Sequence, residues 1–186
     1  MKKRTWWMLP LLLLLTSEAK PYKKPSAKDL QDLALSADSS VPTSEYVHKW
    51  VRFPDIQATF LLSRDSVQPA PEGTVDIVVF VATWCIKCQQ IIPEVEKLKS
   101  QYEARGFRFL YVFSHDLEQD IQEFLQVYHI PDTLVANDPL LKAFHNPEVP
   151  SIYVSDRKGW IVARFIQASS QDIETLKTLL YYLRST

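Results

Sequence analysis

The run VDIVVFV, Val75 to Val81, is the stretch that most restricts how this chain can fold. It is nearly continuous in apolar residues and rich in β-branched ones. That pattern suits a strand buried on both faces of a sheet. Four residues after it ends come Cys85 and Cys88, the only two cysteines in the chain. The segment Cys85 to Arg105 then reads as a helix, with Gly106 as its C-cap. Ile91, Ile92, Val95, Leu98 and Tyr102 follow helical spacing along it, and Pro93 inside it is expected to kink it. A buried strand feeding directly into a helix, with a thiol pair at the junction, points to an α/β domain.

The rest of the chain extends that pattern. FRFLYVF, Phe107 to Phe113, reads as a second buried strand. Asp116 to Tyr128 reads as a helix with an acidic start, carrying Ile121, Phe124, Leu125 and Tyr128 on one side. A short strand is expected at Leu134 to Ala136 and a short helix at Pro139 to Phe144. SIYV (Ser151 to Val154) and WIVARF (Trp160 to Phe165) flank DRKG, a hairpin signal in which Gly159 supplies the unusual backbone angle. Ser169 or Ser170 opens a last helix, with Ile173, Leu176, Leu180 and Leu183 facing inward. Alternating strands and helices followed by a hairpin predict a mixed central sheet with helices on both faces. Gln57 to Leu62 reads as a further strand, and Thr43 or Ser44 as the cap of a short helix running to Trp50.

The first residues belong to a different kind of segment. MKKR is a short basic stretch, Trp6 to Leu15 is apolar, and Ser17 to Ala19 ends in small residues at the positions a signal peptidase reads. A bilayer-spanning helix needs about 20 apolar residues, and this run is half that and contains Pro10. The expected organisation is a signal peptide over 1–19, a linker or N-terminal extension over 20–45, and one domain over 46–186. Cleavage after Ala19 would remove Lys2, Lys3, Arg4 and Glu18, taking the formal net charge from −1 to −3. With so little charge, nothing favours nucleic acid as a partner.

Export changes how the thiols are read, because exported proteins live where thiols oxidise. A disulfide closing so short a loop adds little chain-entropy stabilisation, so a purely structural role is unattractive. A thiol at a helix start meets unpaired N–H groups and a partial positive charge, both of which favour the thiolate. Residues three apart share one helix face. Cys85 is therefore expected to be solvent-facing and activated, with Cys88 one turn deeper. That arrangement suits thiol–disulfide exchange. Lys87, between them, is either a further stabiliser of the thiolate or a solvated surface residue. A structural zinc site would need two more ligands. There is no third cysteine, and His48, His115, His129 and His145 are widely spaced, so no metal and no other cofactor is expected. Cu(I) handling by the two thiols alone stays open.

WCIKC, Trp84 to Cys88, after an apolar strand and before a helix, resembles the active site of the thioredoxin superfamily. Pro93, eight residues past Cys85, matches that family's helix-kinking proline, and VPSIYV, Val149 to Val154, resembles its cis-proline loop and following strand. The extra segment Asp132 to Phe144, ending DPLLKAF, is similar to the exported TlpA and ResA class. The resemblance covers roughly 53–186. It implies a thioredoxin fold, Cys85 as nucleophile, and Cys88 as resolving thiol. It also implies that Trp84 shields the site and contacts partners, that Pro150 is cis and packs against the disulfide, and that Val149 offers its backbone to an extended substrate segment. One departure stands out. Thioredoxins carry a buried Asp six residues before the first cysteine; here that position is Val79, and Asp76 points to the opposite face.

The resulting expectation is a periplasmic, or otherwise exported, thiol–disulfide oxidoreductase acting on exported protein disulfides. A reductase of the cytochrome c maturation or copper-centre assembly type is favoured, exchanging electrons with a membrane donor or acceptor protein and working as a monomer. The alternatives are a disulfide-donating oxidant and a non-enzymatic Cu(I)-handling or binding module.

Overall fold

The computed structural model describes residues 52–56, 58–68, 70–130, 133–145 and 147–185. The signal peptide, the linker, the start of the domain at residue 46 and the helix expected up to Trp50 lie outside the described residues. Five strands and four α-helices follow in chain order: β1 (Val75–Val81), α1 (Ile86–Tyr102), β2 (Phe107–Phe113), α2 (Glu118–Tyr128), β3 (Thr133–Val135), α3 (Asp138–Ala143), β4 (Ser151–Ser155), β5 (Ile161–Ile166) and α4 (Ser170–Leu183). The strands form one mixed sheet in the order β3-β2-β1-β4-β5. β1, β2 and β3 run parallel, while β4 runs antiparallel to β1 and β5 to β4.

Every residue of β1 is buried, as its composition predicts. Alternation sends its apolar side chains into two cores. Val75, Ile77, Val79 and Val81 pack with Ile92 and Val95 of α1, Ile121 and Leu125 of α2, and Leu176 and Leu180 of α4. Val78 and Phe80 pack on the other face with Leu110, Val112, Leu140, Phe144 and Tyr153. Phe144 anchors this second core. Its ring lies edge-on to Phe80 at 5.1 Å, to Tyr153 at 5.1 Å and to Phe53 at 5.5 Å, and the Tyr153 hydroxyl donates to the Phe144 carbonyl at 3.1 Å. Edge-to-face packing of this kind adds to the area buried. The extra segment before β4 thus closes the second face, together with the irregular stretch carrying Phe53, Ile56, Ala58 and Phe60.

Several boundaries differ from the sequence reading. The strand expected from Gln57 does not form across the described residues 58–62. Thr59 and Phe60 make only single bridges, to Ser66 and Leu134, and the chain turns at Leu61–Ser63. Arg64, at φ 62°, reverses its direction. The helix expected from Asp116 starts at Glu118, because Leu117 is extended (φ −76°, ψ 144°) and Asp116 bonds elsewhere. α1 ends at Tyr102 and passes through a 3-10 turn, Glu103–Arg105, before Gly106 at φ 80°. Trp160 drops out of β5 and bridges to Arg52. α4 opens at Ser169, whose side chain and backbone N–H pair with Asp172 in a capping box.

Phe80 is fully buried against two other rings. Phe80→Ala is expected to lower unfolding free energy by about 3–5 kcal/mol. Leu62→Ala, at an exposed position, is expected to stay within about 0.5 kcal/mol. Urea denaturation of both variants checks this ranking, and equal effects would contradict the two-faced core.

Candidate active site

The chain leaves β1 at Val81, whose carbonyl accepts from the Ser114 N–H at 3.0 Å. Ala82, Thr83 and Trp84 turn it into α1, with the Cys85 N–H donating to the Ala82 carbonyl at 3.2 Å. Cys85 is the N-cap of α1 (φ −86°, ψ 103°), and its Sγ accepts from the Cys88 N–H at 3.1 Å. The sulfur therefore stands where a capping oxygen usually stands. The Gln89 N–H closes the first turn onto the Cys85 carbonyl at 3.2 Å.

Cys85 and Cys88 are joined as a disulfide, with their Cα atoms 5.2 Å apart. Cys88 is fully buried. Cys85 is only 7% exposed, which corrects the expectation of an open, solvent-facing sulfur. Its Sγ is bonded to the buried Cys88 and caps the start of α1. The asymmetry remains in its surroundings: Trp84 and Ile86, on either side of Cys85, are 63% and 71% exposed. Lys87 is exposed and Pro93 lies inside α1.

The second strand of the site arrives from β4. Ser151 pairs with Phe80 in the antiparallel ladder. The preceding residue, Pro150, therefore comes abreast of Val81, at the end of β1 from which the thiol turn departs. The Val149–Pro150 peptide is cis. The Pro150 carbonyl accepts from the Ala168 N–H at 2.8 Å. Val149 is half-buried and touches both cores, and its N–H and C=O make no hydrogen bond among the described residues.

Val79, where that carboxylate would stand, is fully buried between Tyr111 of β2 and Ile152 of β4, and the Tyr111 hydroxyl donates to Glu96 of α1 at 2.7 Å. Asp76 belongs to the opposite end of β1, where Arg108 holds it through Nε at 2.7 Å and a second nitrogen at 3.1 Å. Of the described histidines, His129 caps α2, His115, His129 and His145 all have positive φ, and His115 lies between Ser114 and Asp116 at the sheet end that carries the thiol turn. Among the described residues no group of three or more His, Cys, Asp or Glu side chains could hold a metal ion.

Sequence reading missed a set of bonds around the turn. The Thr83 N–H donates to Asp116 Oδ1 at 3.0 Å, its hydroxyl donates to the same oxygen, and the Gln89 side-chain amide donates to the Thr83 carbonyl at 3.0 Å. Asp116 follows β2 as Thr83 follows β1, so two adjacent parallel strands deliver them to the same sheet end. That shared position was the available signal.

Residues 73–161 match the family model described as Thioredoxin-like. Among curated proteins, the chain is 29% identical over 91 residues to "Thioredoxin-like 3-1, chloroplastic" of Arabidopsis thaliana, covering 46% of this chain and 37% of that one. It is 25% identical over 111 residues to "Thioredoxin-like protein YneN" of Bacillus subtilis, covering 58% of this chain and 65% of that one. The chain thus spans less than two thirds of the length of either relative. Among solved structures, a thiol:disulfide interchange protein of the thioredoxin family from Chlorobium tepidum superposes with a TM-score of 0.62 at 20% identity, covering 71% of this chain and 97% of that one. A secreted Mycobacterium tuberculosis disulfide oxidoreductase, homologous to E. coli DsbE, superposes at 0.60 and 17% identity, covering 69% and 96%. At these identities the superpositions establish the fold, a mixed five-stranded sheet with the thiol pair at the junction of β1 and α1. Together with the family model, which matches somewhat less than half of the chain, they show that this chain has a thioredoxin-like fold and is similar to that family over residues 73–161.

Proposed function

We propose that this protein is an exported thiol–disulfide oxidoreductase that reduces disulfides in other exported proteins. The observation that carries the reading is the redox pair itself: a disulfide whose outer sulfur caps a helix and is flanked by exposed apolar side chains, while its inner sulfur is fully buried. In the reduced protein, the Cys88 N–H and the α1 N-terminus would stabilise Cys85 as a thiolate. That thiolate attacks one sulfur of the substrate disulfide. A Cys85–substrate bond forms as the substrate's own S–S bond breaks, and the other substrate sulfur leaves as thiolate. Cys88, once deprotonated, attacks Cys85 Sγ, expels the first substrate sulfur as a second thiolate and closes the Cys85–Cys88 disulfide. Two electrons pass from the protein to the substrate, and a membrane partner protein returns them.

The remaining roles are of the same standing. Trp84 contacts the substrate beside the disulfide. Val149, whose N–H and C=O make no hydrogen bond among the described residues, offers an edge to which an extended substrate segment adds as a strand, and Pro150, which has no N–H, keeps that edge from closing on the protein itself. Export is supported by the basic and apolar start of the chain and by the secreted character of one structural neighbour.

Two measurements test this reading. Incubated with exported proteins, Cys88→Ser is expected to accumulate mixed disulfides visible on non-reducing gels, and Cys85→Ser is expected to accumulate none. Equal trapping by both variants would remove the assigned roles. Equilibration with glutathione is expected to give a reduction potential below about −180 mV, whereas a value near about −120 mV would reverse the direction to disulfide donation.

A further inference from the structure

Thr83 is tied on both sides of its peptide. Its N–H and hydroxyl both donate to Asp116 Oδ1, and its carbonyl accepts from Gln89 in the first turn of α1. The other oxygen of that carboxylate is buried and has no hydrogen-bond partner among the described residues. The bonds of Asp116 are therefore directed at a single residue, 33 positions away in sequence. Thr83 precedes Trp84, and Asp116 precedes Leu117. Both following residues are large, apolar and well exposed, Leu117 at 72%. The bond thus joins the turn that carries Trp84 to the β2–α2 loop that carries Leu117.

Cys85 does not need this tie. Its N–H, carbonyl and sulfur are each held by Ala82, Gln89 and Cys88. Trp84 has no such bonds of its own among the described residues. The tie therefore acts on the apolar rim around the disulfide more than on the reacting sulfur.

We propose that Asp116 is a positioning residue for protein substrates: through Thr83 it holds Trp84 in register with Leu117, so that both meet the polypeptide flanking a substrate disulfide. The proposal rests on the oxidoreductase reading above. A carboxylate suits the task because one oxygen accepts two donors and is a stronger acceptor than an amide. A substrate too small to reach the rim would not sense the tie.

The test compares two disulfides, insulin and the small hydroxyethyl disulfide, using the full chain and its variants, with a thermal melt of each. Asp116→Ala is expected to lower kcat/KM for insulin by a factor on the order of ten more than for hydroxyethyl disulfide, chiefly through KM. Asp116→Asn keeps an acceptor oxygen for Thr83 and is expected to recover most of that loss. Thr83→Val combined with Asp116→Ala is expected to cost less than the two separate losses together, since both remove one contact. Parallel losses on the two disulfides, no loss on insulin, or Asp116→Asn as impaired as Asp116→Ala despite an unchanged melt would each overturn the proposal. A wild-type protein inert toward both disulfides would instead overturn the oxidoreductase reading beneath it.

Discussion

β1 has no solvent face. Its alternating apolar side chains enter two separate cores, with α1, α2 and α4 on one side and Phe144, Tyr153 and the 52–68 stretch on the other. A strand held so firmly delivers the end of its chain to a fixed place. That place is Val81, beside Ser114, the residue after the neighbouring parallel strand, and abreast of Pro150. The thiol turn, the β2–α2 loop and the cis Val149–Pro150 peptide converge there because three adjacent strands of one sheet end or begin at the same edge. Ligand and reaction sites of open α/β sheets lie at the carboxyl ends of their strands for this reason.

The chemistry depends on what happens one turn later. Capping by a sulfur instead of an oxygen puts Cys85 Sγ against the Cys88 N–H at the start of α1. Burial then distinguishes the two sulfurs. Cys88 faces the core among Ile91 and Ile92, while Cys85 lies beneath the exposed Trp84–Ile86 rim. Six residues before Cys85, Val79 lies fully buried between Tyr111 and Ile152.

Much of this was legible in the residues. VDIVVFV and FRFLYVF read as buried strands because composition alone marks a strand with two covered faces. The apolar spacing of α1 and α4 identified the buried positions Ile92, Val95, Leu176 and Leu180. Other features were not legible. Residues 58–62 alternate like a strand, yet they meet only single bridges at the edge near β3, and periodicity cannot report whether a partner edge is available. Asp116 reads as a helix start because an acidic residue suits a helix N-terminus. Its carboxylate instead bonds Thr83, a choice that exists only once β1 and β2 pair in register. The exposure of Cys85 was read too open, because helix spacing gives a direction around the axis and says nothing of the cover above the first turn.

The sequence by itself determined the local units: a buried strand, a helix with its apolar stripe, a hairpin with Gly159 at its turn, and two thiols three residues apart. Each follows from interactions within a few residues, which composition and spacing record. The tertiary structure alone decided which strand ends share an edge, that Asp116 reaches Thr83, that Val149 finds no backbone partner among the described residues, and how far Cys85 is covered. Those outcomes depend on packing between segments distant in the chain, where register and burial are settled together by the fold as a whole.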